Sequence, residues 1–225
     1  MNYQVIIPAR GESKRFPKKN IHLLNGIPLI AHSILFAKKN FSEKKIWVNT
    51  DDEAIAAIAE NYGVNVTARP KELGSDTALT ADVLFYQNEY FSLNNIQCDA
   101  MILLQATNPL RPNNLLDVAI KQYELNKRNS LASFSILNKK FGKIRSNFFV
   151  PSNYIPGQRM QDIEPDYFEN GLIYITHIKS IQKKEIVTAD VLPLIINSAE
   201  SLVDIDELQD ILFAEFLIKQ NFLKQ

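Results

Sequence analysis

The chain has a single cysteine, Cys98, so no internal disulfide can staple it, and this thiol reads as small apolar filler beside a strand. No apolar run approaches roughly 18 uninterrupted residues, so no membrane-spanning helix is expected. The opening residues, MNYQVIIPARG, lack the charged leader and long apolar stretch of a signal peptide, which makes the cytoplasm the expected compartment. Net charge is missing as well, because 25 Lys and Arg offset 25 Asp and Glu. Without a basic excess there is no general attraction for nucleic acid. His22, His32 and His177 are scattered without ligand spacing and read as structural. Neither G-x-G-x-x-G nor G-x-x-x-x-G-K-[ST] follows the first apolar run, so the dinucleotide fingerprint and the P-loop are both excluded.

What is present is alternation between strand and helix character. QVIIPA (4–9), KIWVNT (45–50), VNVTAR (64–69) and DAMILLQ (99–105) read as strands, the last continuously apolar and therefore buried on both faces. Helices are predicted over 28–39, through DDEAIAAIAENYG (51–63), over 77–91 and over 113–126. A strand over 130–137, the strand-like GLIYITHI and VLPLIIN, and an apolar-periodic terminal helix DELQDILFAEFLIKQNFL follow. This order predicts a three-layer α/β domain with a mostly parallel sheet. All 225 residues read as one such domain, and 138–168, rich in Pro, Gly, Asn and aromatics without steady period, reads as an arm.

Ligands of open α/β sheets sit outside the carboxyl ends of the strands. Four chemically rich stretches fall there: Arg10 to Asn20, Asn49 to Asp52, Arg69 to Thr77, and Gln105 to Arg111. The first, ARGESKRFPKKN, mixes Arg10, Lys14, Arg15, Lys18 and Lys19 with Gly11 and Ser13. Forked donors, point charges, a close backbone approach and a hydroxyl are what a polyphosphate needs, although a solvated lysine-rich connection would look similar. Near the other end, Asp204 and Asp206 stand two apart, so an extended backbone would put both carboxylates on one face. That suits a hard cation such as magnesium. The competing reading makes Asp206 the N-cap of the last helix. Ser75 or Asp76 is likewise placed to cap a helix from Thr77.

IIPARGESKRFPKKN resembles the signature of the CMP-sugar-acid synthetases, approximately A-R-x-x-S-K-x-x-x-x-K-N after a first strand. ARPKELGSDTA (68–78), LLQATNPLR (103–111), ENGLIYI (169–175) and SLVDIDELQDIL (201–212) resemble later blocks of that family in the same order. The resemblance implies a Rossmann-like nucleotidyltransferase fold with a protruding dimerisation arm, and hence a homodimer. It implies transfer of CMP from CTP to the anomeric hydroxyl of a sialic-acid-like, nonulosonate sugar acid, with release of pyrophosphate and dependence on Mg2+. Rivals with the same fold are a 3-deoxy-octulosonate cytidylyltransferase and other sugar nucleotidyltransferases; a non-catalytic nucleotide-binding module is a further one.

Carried over residue by residue, the resemblance turns Arg10, Ser13, Lys14 and Lys19 toward the triphosphate, with Lys19, Arg10 and Lys14 as the catalytic charges. Asn20 meets the ribose, Arg69 the cytosine carbonyl, and the Ser75 region the base. Gln105, Lys143, Arg159 and Asn170 serve the acceptor acid, while Asp204 and Asp206 hold the metal. Glu12, beside the basic run, and Glu169, before Asn-Gly, depart from the pattern of the sialic acid members.

Overall fold

A computed structural model describes residues 1–75 and 77–222. The chain opens with β1 (Tyr3–Pro8), a run of apolar residues buried on both faces. The basic loop follows, then a small hairpin of β2 (Leu23–Leu24) and β3 (Ile27–Pro28) that delivers Pro28 as the residue before α1 (Leu29–Ala37). β4 (Ile46–Thr50) leads to α2 (Glu53–Asn61), whose start is set by Asp52: its carboxylate accepts from the Ile55 amide at 2.9 Å. Gly63, at φ 77°, ends that helix in the left-handed region.

After β5 (Asn65–Ala68), α3 (Thr80–Leu93) begins three residues later than its predicted start, preceded by Leu79, whose side chain makes no cap hydrogen bond. Ser75 closes the 3-10 turn before it instead, its hydroxyl donating to Glu72 O at 2.9 Å. The alternative cap, Asp76, lies outside the described residues. β6 (Ala100–Leu103), α4 (Leu115–Asn126) and β7 (Ser130–Leu137) agree with the pattern reading. The irregular arm resolves into a hairpin of β8 (Gly142–Arg145) and β9 (Phe148–Pro151).

β10 (Asp166–His177) starts within the stretch read as arm, and a register shift between Glu169 and Tyr174 explains why its early part carries no two-residue alternation. The short α5 (Ile178–Ile181), β11 (Leu192–Ile195) and α6 (Leu208–Phe222) complete the described chain. The predicted last residue of α6, Leu223, lies outside the described residues.

The described strands form a sheet in the order β11-β7-β10-β6-β1-β4-β5, parallel at every pairing except those of β10. Helices cover both faces. Val5, Ile7 and Ile102 pack against Ile34 of α1, Ile55 of α2 and Leu116 of α4 on one side. Ile6, Trp47 and Met101 meet Leu84 and Phe91 of α3 on the other. A third apolar cluster fastens α6: Ile205 and Val203 pack with Leu24, Leu29 and Ile211, and Phe16 of the basic loop packs against it. Burying a side chain such as Ile205 contributes about 1.5–3 kcal/mol, enough to anchor an otherwise irregular segment beside the basic loop. Among the described residues no helix is long and apolar enough to cross a membrane.

Candidate active site

β1 and β6 are neighbours, yet the chain winds away from them in opposite directions, toward β4 and β5 on one side and toward β10 and β7 on the other. The crevice outside their carboxyl ends is therefore the switch point of the sheet. A cleft of about 340 Å3 lies there, lined by Ala9, Arg10, Lys19, Asn20, Arg69, Ser75, Gln105 and Thr107 among others. All four predicted strand-end stretches meet at or beside it.

The floor joins three loops through a residue to which the sequence reading assigned no role. Asp51 Oδ1, just past β4, accepts from the Gly11 amide at 3.3 Å and from Arg69 Nη2 and Nε at 3.1 and 3.3 Å. Glycine is required at two points of this junction. A Cβ on Gly11 would stand 2.6 Å from Asp52 Oδ2, and one on Gly74 would collide with the Asp51 carboxylate. Arg69 thus forms a salt bridge at the strand end with Asp51, and the same buried guanidinium also lines the cleft. Burial lowers the Arg69 pKa from its ordinary value, and the hydrogen bond and charge of Asp51 work the other way.

Asn20 is held from one end, its Nδ2 donating to Arg10 O at 2.8 Å. Its Oδ1 is buried with no hydrogen-bond partner among the described residues, and the residue lines the cleft. An orphaned acceptor costs stability unless a ligand donor meets it. Arg10 reaches across toward Ser75 O at 3.5 Å. Glu12 and Lys14 are exposed and Ser13 half-buried, and none of the three lines the cleft.

The carboxylates from the far end of the chain reach the cleft only through its lining residue Lys19: Asp206 pairs with that lysine, Asp204 lines an adjoining pocket, and neither lines the cleft itself. The segment around Ile205 is pinned by its amide, donating to Thr107 O at 2.8 Å, and by Asn108 Nδ2, donating to Val203 O at 2.9 Å. Lys19, 8% exposed, donates from Nζ to Ile205 O at 2.7 Å and to Asp206 Oδ1 at 2.9 Å. Arg15 Nη2 donates to Asp206 Oδ2 at 2.5 Å. Burial opposes ionisation of Asp206, but the Lys19 hydrogen bond and the charges of Lys19 and Arg15 outweigh it and hold the carboxyl below its ordinary value.

Asp204 is shifted the other way. Although much of the residue is open to solvent, the desolvation of its carboxyl, with Asp206 and Asp210 close by, pushes it up despite a Thr107 hydrogen bond and the Lys19 charge. The start of α6 is tied by a different residue from the predicted cap: Asp210 Oδ2 accepts from the Asp206 and Glu207 amides at 2.8 Å each.

A second pocket of about 260 Å3 adjoins the cleft, and Gln105 lines both. Its wall comes from the irregular part of β10, where Gly171 sits at φ 73°. A Cβ there would stand 2.7 Å from Gln105 Oε1 and 2.6 Å from Asn108 Oδ1. Replacing Gly171 with alanine is thus expected to strain the backbone and displace Gln105 together. On the roles the sequence resemblance implies, the acceptor KM should rise more than the KM for CTP, as steady-state kinetics would read.

Arg111, a buried residue, fixes the same corner: it donates to Gln105 O at 2.7 Å, to Leu172 O at 2.8 Å and to Ser33 Oγ at 3.0 Å. Burial alone pushes its guanidinium down to about 9. Its contacts brace the pocket from behind.

Asn170 lines this second pocket, but its side chain is committed internally. Its Nδ2 donates to Ser135 Oγ at 2.9 Å, and its Oδ1 accepts from Ser133 Oγ at 2.6 Å and from the Leu172 amide at 3.2 Å. Lys143 is exposed on β8, and Arg159 pairs with Asp162 at 2.8 Å with 71% of its side chain exposed. Neither lines the cleft or the second pocket.

A cation-walled crevice at the switch point of a doubly wound sheet defines a nucleotide-binding α/β protein of the nucleotidyltransferase kind. The chain belongs to the cytidylyltransferase family, whose sequence pattern matches residues 4–201. It is 34% identical to the CMP-N,N'-diacetyllegionaminic acid synthase of Legionella pneumophila, across 98% of each chain. Across 96% of each chain it is 30% identical to the pseudaminic acid cytidylyltransferase of Campylobacter jejuni. In fold it matches a CMP:2-keto-3-deoxy-manno-octonic acid synthetase complexed with CTP, with a TM-score of 0.71 at 14% identity over 98% of this chain and 100% of that one. The family and the α/β nucleotidyltransferase fold implied by the sequence motifs are both borne out.

Proposed function

We propose that the protein transfers CMP from CTP to the anomeric hydroxyl of a nonulosonate-type 2-keto sugar acid, of the legionaminate, pseudaminate or N-acetylneuraminate kind. The observation that carries this reading is the convergence of Arg10, Lys19, Asn20 and Arg69 on one cleft that shares Gln105 with a sugar-sized side pocket. The acceptor oxygen forms a bond to the α-phosphorus, the bond from that phosphorus to the bridging oxygen breaks, and pyrophosphate leaves with the electron pair. The hydroxyl proton passes to solvent. Alignment and charge neutralisation carry most of the catalysis in such transfers.

Each side chain has a task in this reading. Lys19 and Arg10 neutralise the charge that develops on the phosphates, with Lys14 and Ser13 approaching from the rim. The unpartnered Asn20 Oδ1 accepts from a ribose hydroxyl. Arg69, anchored to Asp51 through Nε and Nη2, has Nη1 without a partner among the described residues, left to donate to the cytosine carbonyl.

Asp204 and Asp206 would hold a magnesium ion. The donor set fits: two carboxylates two positions apart, near enough that Asp206 raises the Asp204 carboxyl, suit a cation that keeps phosphate oxygens and water as its other ligands. Among the described residues no group of three or more His, Cys, Asp or Glu side chains forms a fuller cage. When bound, such an ion supplies charge withdrawal from the α-phosphorus.

The exposed apolar arm supports a homodimer. Ile144 is 70% and Phe148 74% exposed, a patch of the sort that a second copy covers. The same arm carries Lys143 and Arg159, which a second copy would receive near its acceptor pocket. A CTP-consuming reaction of this kind belongs in the cytoplasm.

The test is pyrophosphate release with magnesium, a panel of sugar acids, and CTP compared with UTP, ATP and GTP. CTP with a nine-carbon acid is expected to be the productive pair. A preference for UTP, or for a hexose phosphate as acceptor, would overturn the reading.

A further inference from the structure

In a regular strand, residues five apart point to opposite faces. Glu169 and Tyr174 of β10 do not follow that rule. Glu169 lies opposite Phe134 of β7 and Tyr174 opposite Ala132, so both share one face, because the irregular stretch between them takes up an odd number of extra residues. As a result the Tyr174 hydroxyl donates to Glu169 Oε2 at 3.0 Å. Tyr174 is 6% exposed; burial, reinforced by the charge and hydrogen bond of Glu169, pushes its phenol well above the ordinary value. It therefore stays a donor at neutral pH and holds the carboxylate in place.

Both residues line the side pocket that shares Gln105 with the nucleotide cleft. Asp204 also lines it, and no lysine or arginine does among the described residues. Glu169 Oε1 has no hydrogen-bond partner there either. Glu169 is exposed at the pocket mouth, and a carboxylate held there with an open acceptor atom attracts donors and repels anions.

We infer that Glu169 is a specificity-determining residue: it takes a hydroxyl or amide N–H at the far end of the acceptor and rejects an acceptor carrying a phosphate there. The inference rests on the reading of the side pocket as the acceptor site. It orients the acceptor with its anomeric hydroxyl and carboxylate toward Gln105 and its donor-rich tail toward Glu169. It also sets a chemical order. Any route that builds the sugar acid as a terminal phosphate ester must remove that phosphate by hydrolysis before this step.

The test compares an unphosphorylated nine-carbon sugar acid with its terminal phosphate ester, using the full chain at saturating CTP. Glu169→Gln should raise KM for the unphosphorylated acid about tenfold, the loss expected of a charged hydrogen bond. The same variant should lower KM for the phosphate ester, with the KM for CTP and the thermal midpoint unchanged. Glu169→Asp, which keeps the charge, should still reject the ester. A purely structural role for Glu169 would move both acids the same way, and that result, or no shift in either, overturns the inference. Calorimetric binding of the two acids to the CTP-bound protein reads the same reversal without turnover. If wild type releases no pyrophosphate with any acid but the reversal is seen in binding, the proposed reaction fails and the role of Glu169 stands.

Discussion

Lys19→Ala is expected to lower the rate of pyrophosphate release by about 100-fold or more, the usual loss when a preorganised charge at a transition state is removed. The expectation rests on position. Lys19 is 8% exposed, lines the cleft, and is held by Ile205 O at 2.7 Å and Asp206 Oδ1 at 2.9 Å, so its charge is aimed before any substrate arrives. A lysine on the surface would be screened by water and would cost little to remove.

The variant also loosens the segment around Asp206, which among the described residues then keeps only Arg15 as an ion-pair partner. Thermal unfolding separates the two effects: a folded protein with collapsed turnover places the loss in the chemistry. Lys19→Arg, which retains charge, should recover part of the rate. Turnover near wild type in the alanine variant would remove Lys19 from the mechanism.

Asp206→Asn carries the second large effect. The amide keeps the shape of the side chain but cannot supply the negative charge a hard cation requires. On the proposed metal role, the magnesium concentration for half-maximal activity should rise about tenfold or more, at least the loss that follows from removing an outer-shell partner of a metal. Affinity for CTP measured without metal should change less, and in the tightening direction. Lys19 and Arg15, which now divide their charge over Asp206, would turn it toward the phosphates. A magnesium titration that superimposes on wild type would refute the metal role of this residue.

The layered fold was legible because its inner strands are written in continuous apolar residues. Val5, Ile6 and Ile7 of β1 and Ile102 of β6 are fully buried, and short unbroken runs rich in β-branched residues read as strands covered on both faces. The arm was legible only as an interruption. Phe148, Phe149 and Val150 are all exposed, so no buried face imposed the alternation by which a hairpin is recognised. The beginning of β10 was hidden for a related reason, since its bulge breaks the period of two.

In the site, strand-end placement marked the stretches that carry Arg10, Lys19, Asn20 and Arg69, and the family resemblance singled out those four residues, which all line one cleft. They could not reveal Asp51, because two adjacent acids before a helix read equally well as cap and first turn, and only Asp52 caps. The partnership of Asp51 with Arg69 is fixed by the adjacency of β4 and β5 in the sheet. Asn170 stood out beside the glycine, yet Ser133 and Ser135, far away in sequence and adjacent in the sheet, occupy its side chain. Arg111 closed a recognisable block without any sign that it would turn inward and brace Gln105.

The bond from Lys19 to Asp206 spans 187 positions of the chain. A ribosome adding about 5–20 residues per second needs roughly ten to forty seconds to make that distance. Through that interval the growing polypeptide can lay down β1, β4, β5 and β6, with the basic loop already formed at their edge and nothing yet to face it. Competence for catalysis therefore arrives late in biosynthesis, and a product terminated before position 203 would keep most of its sheet while lacking the partners that hold Lys19.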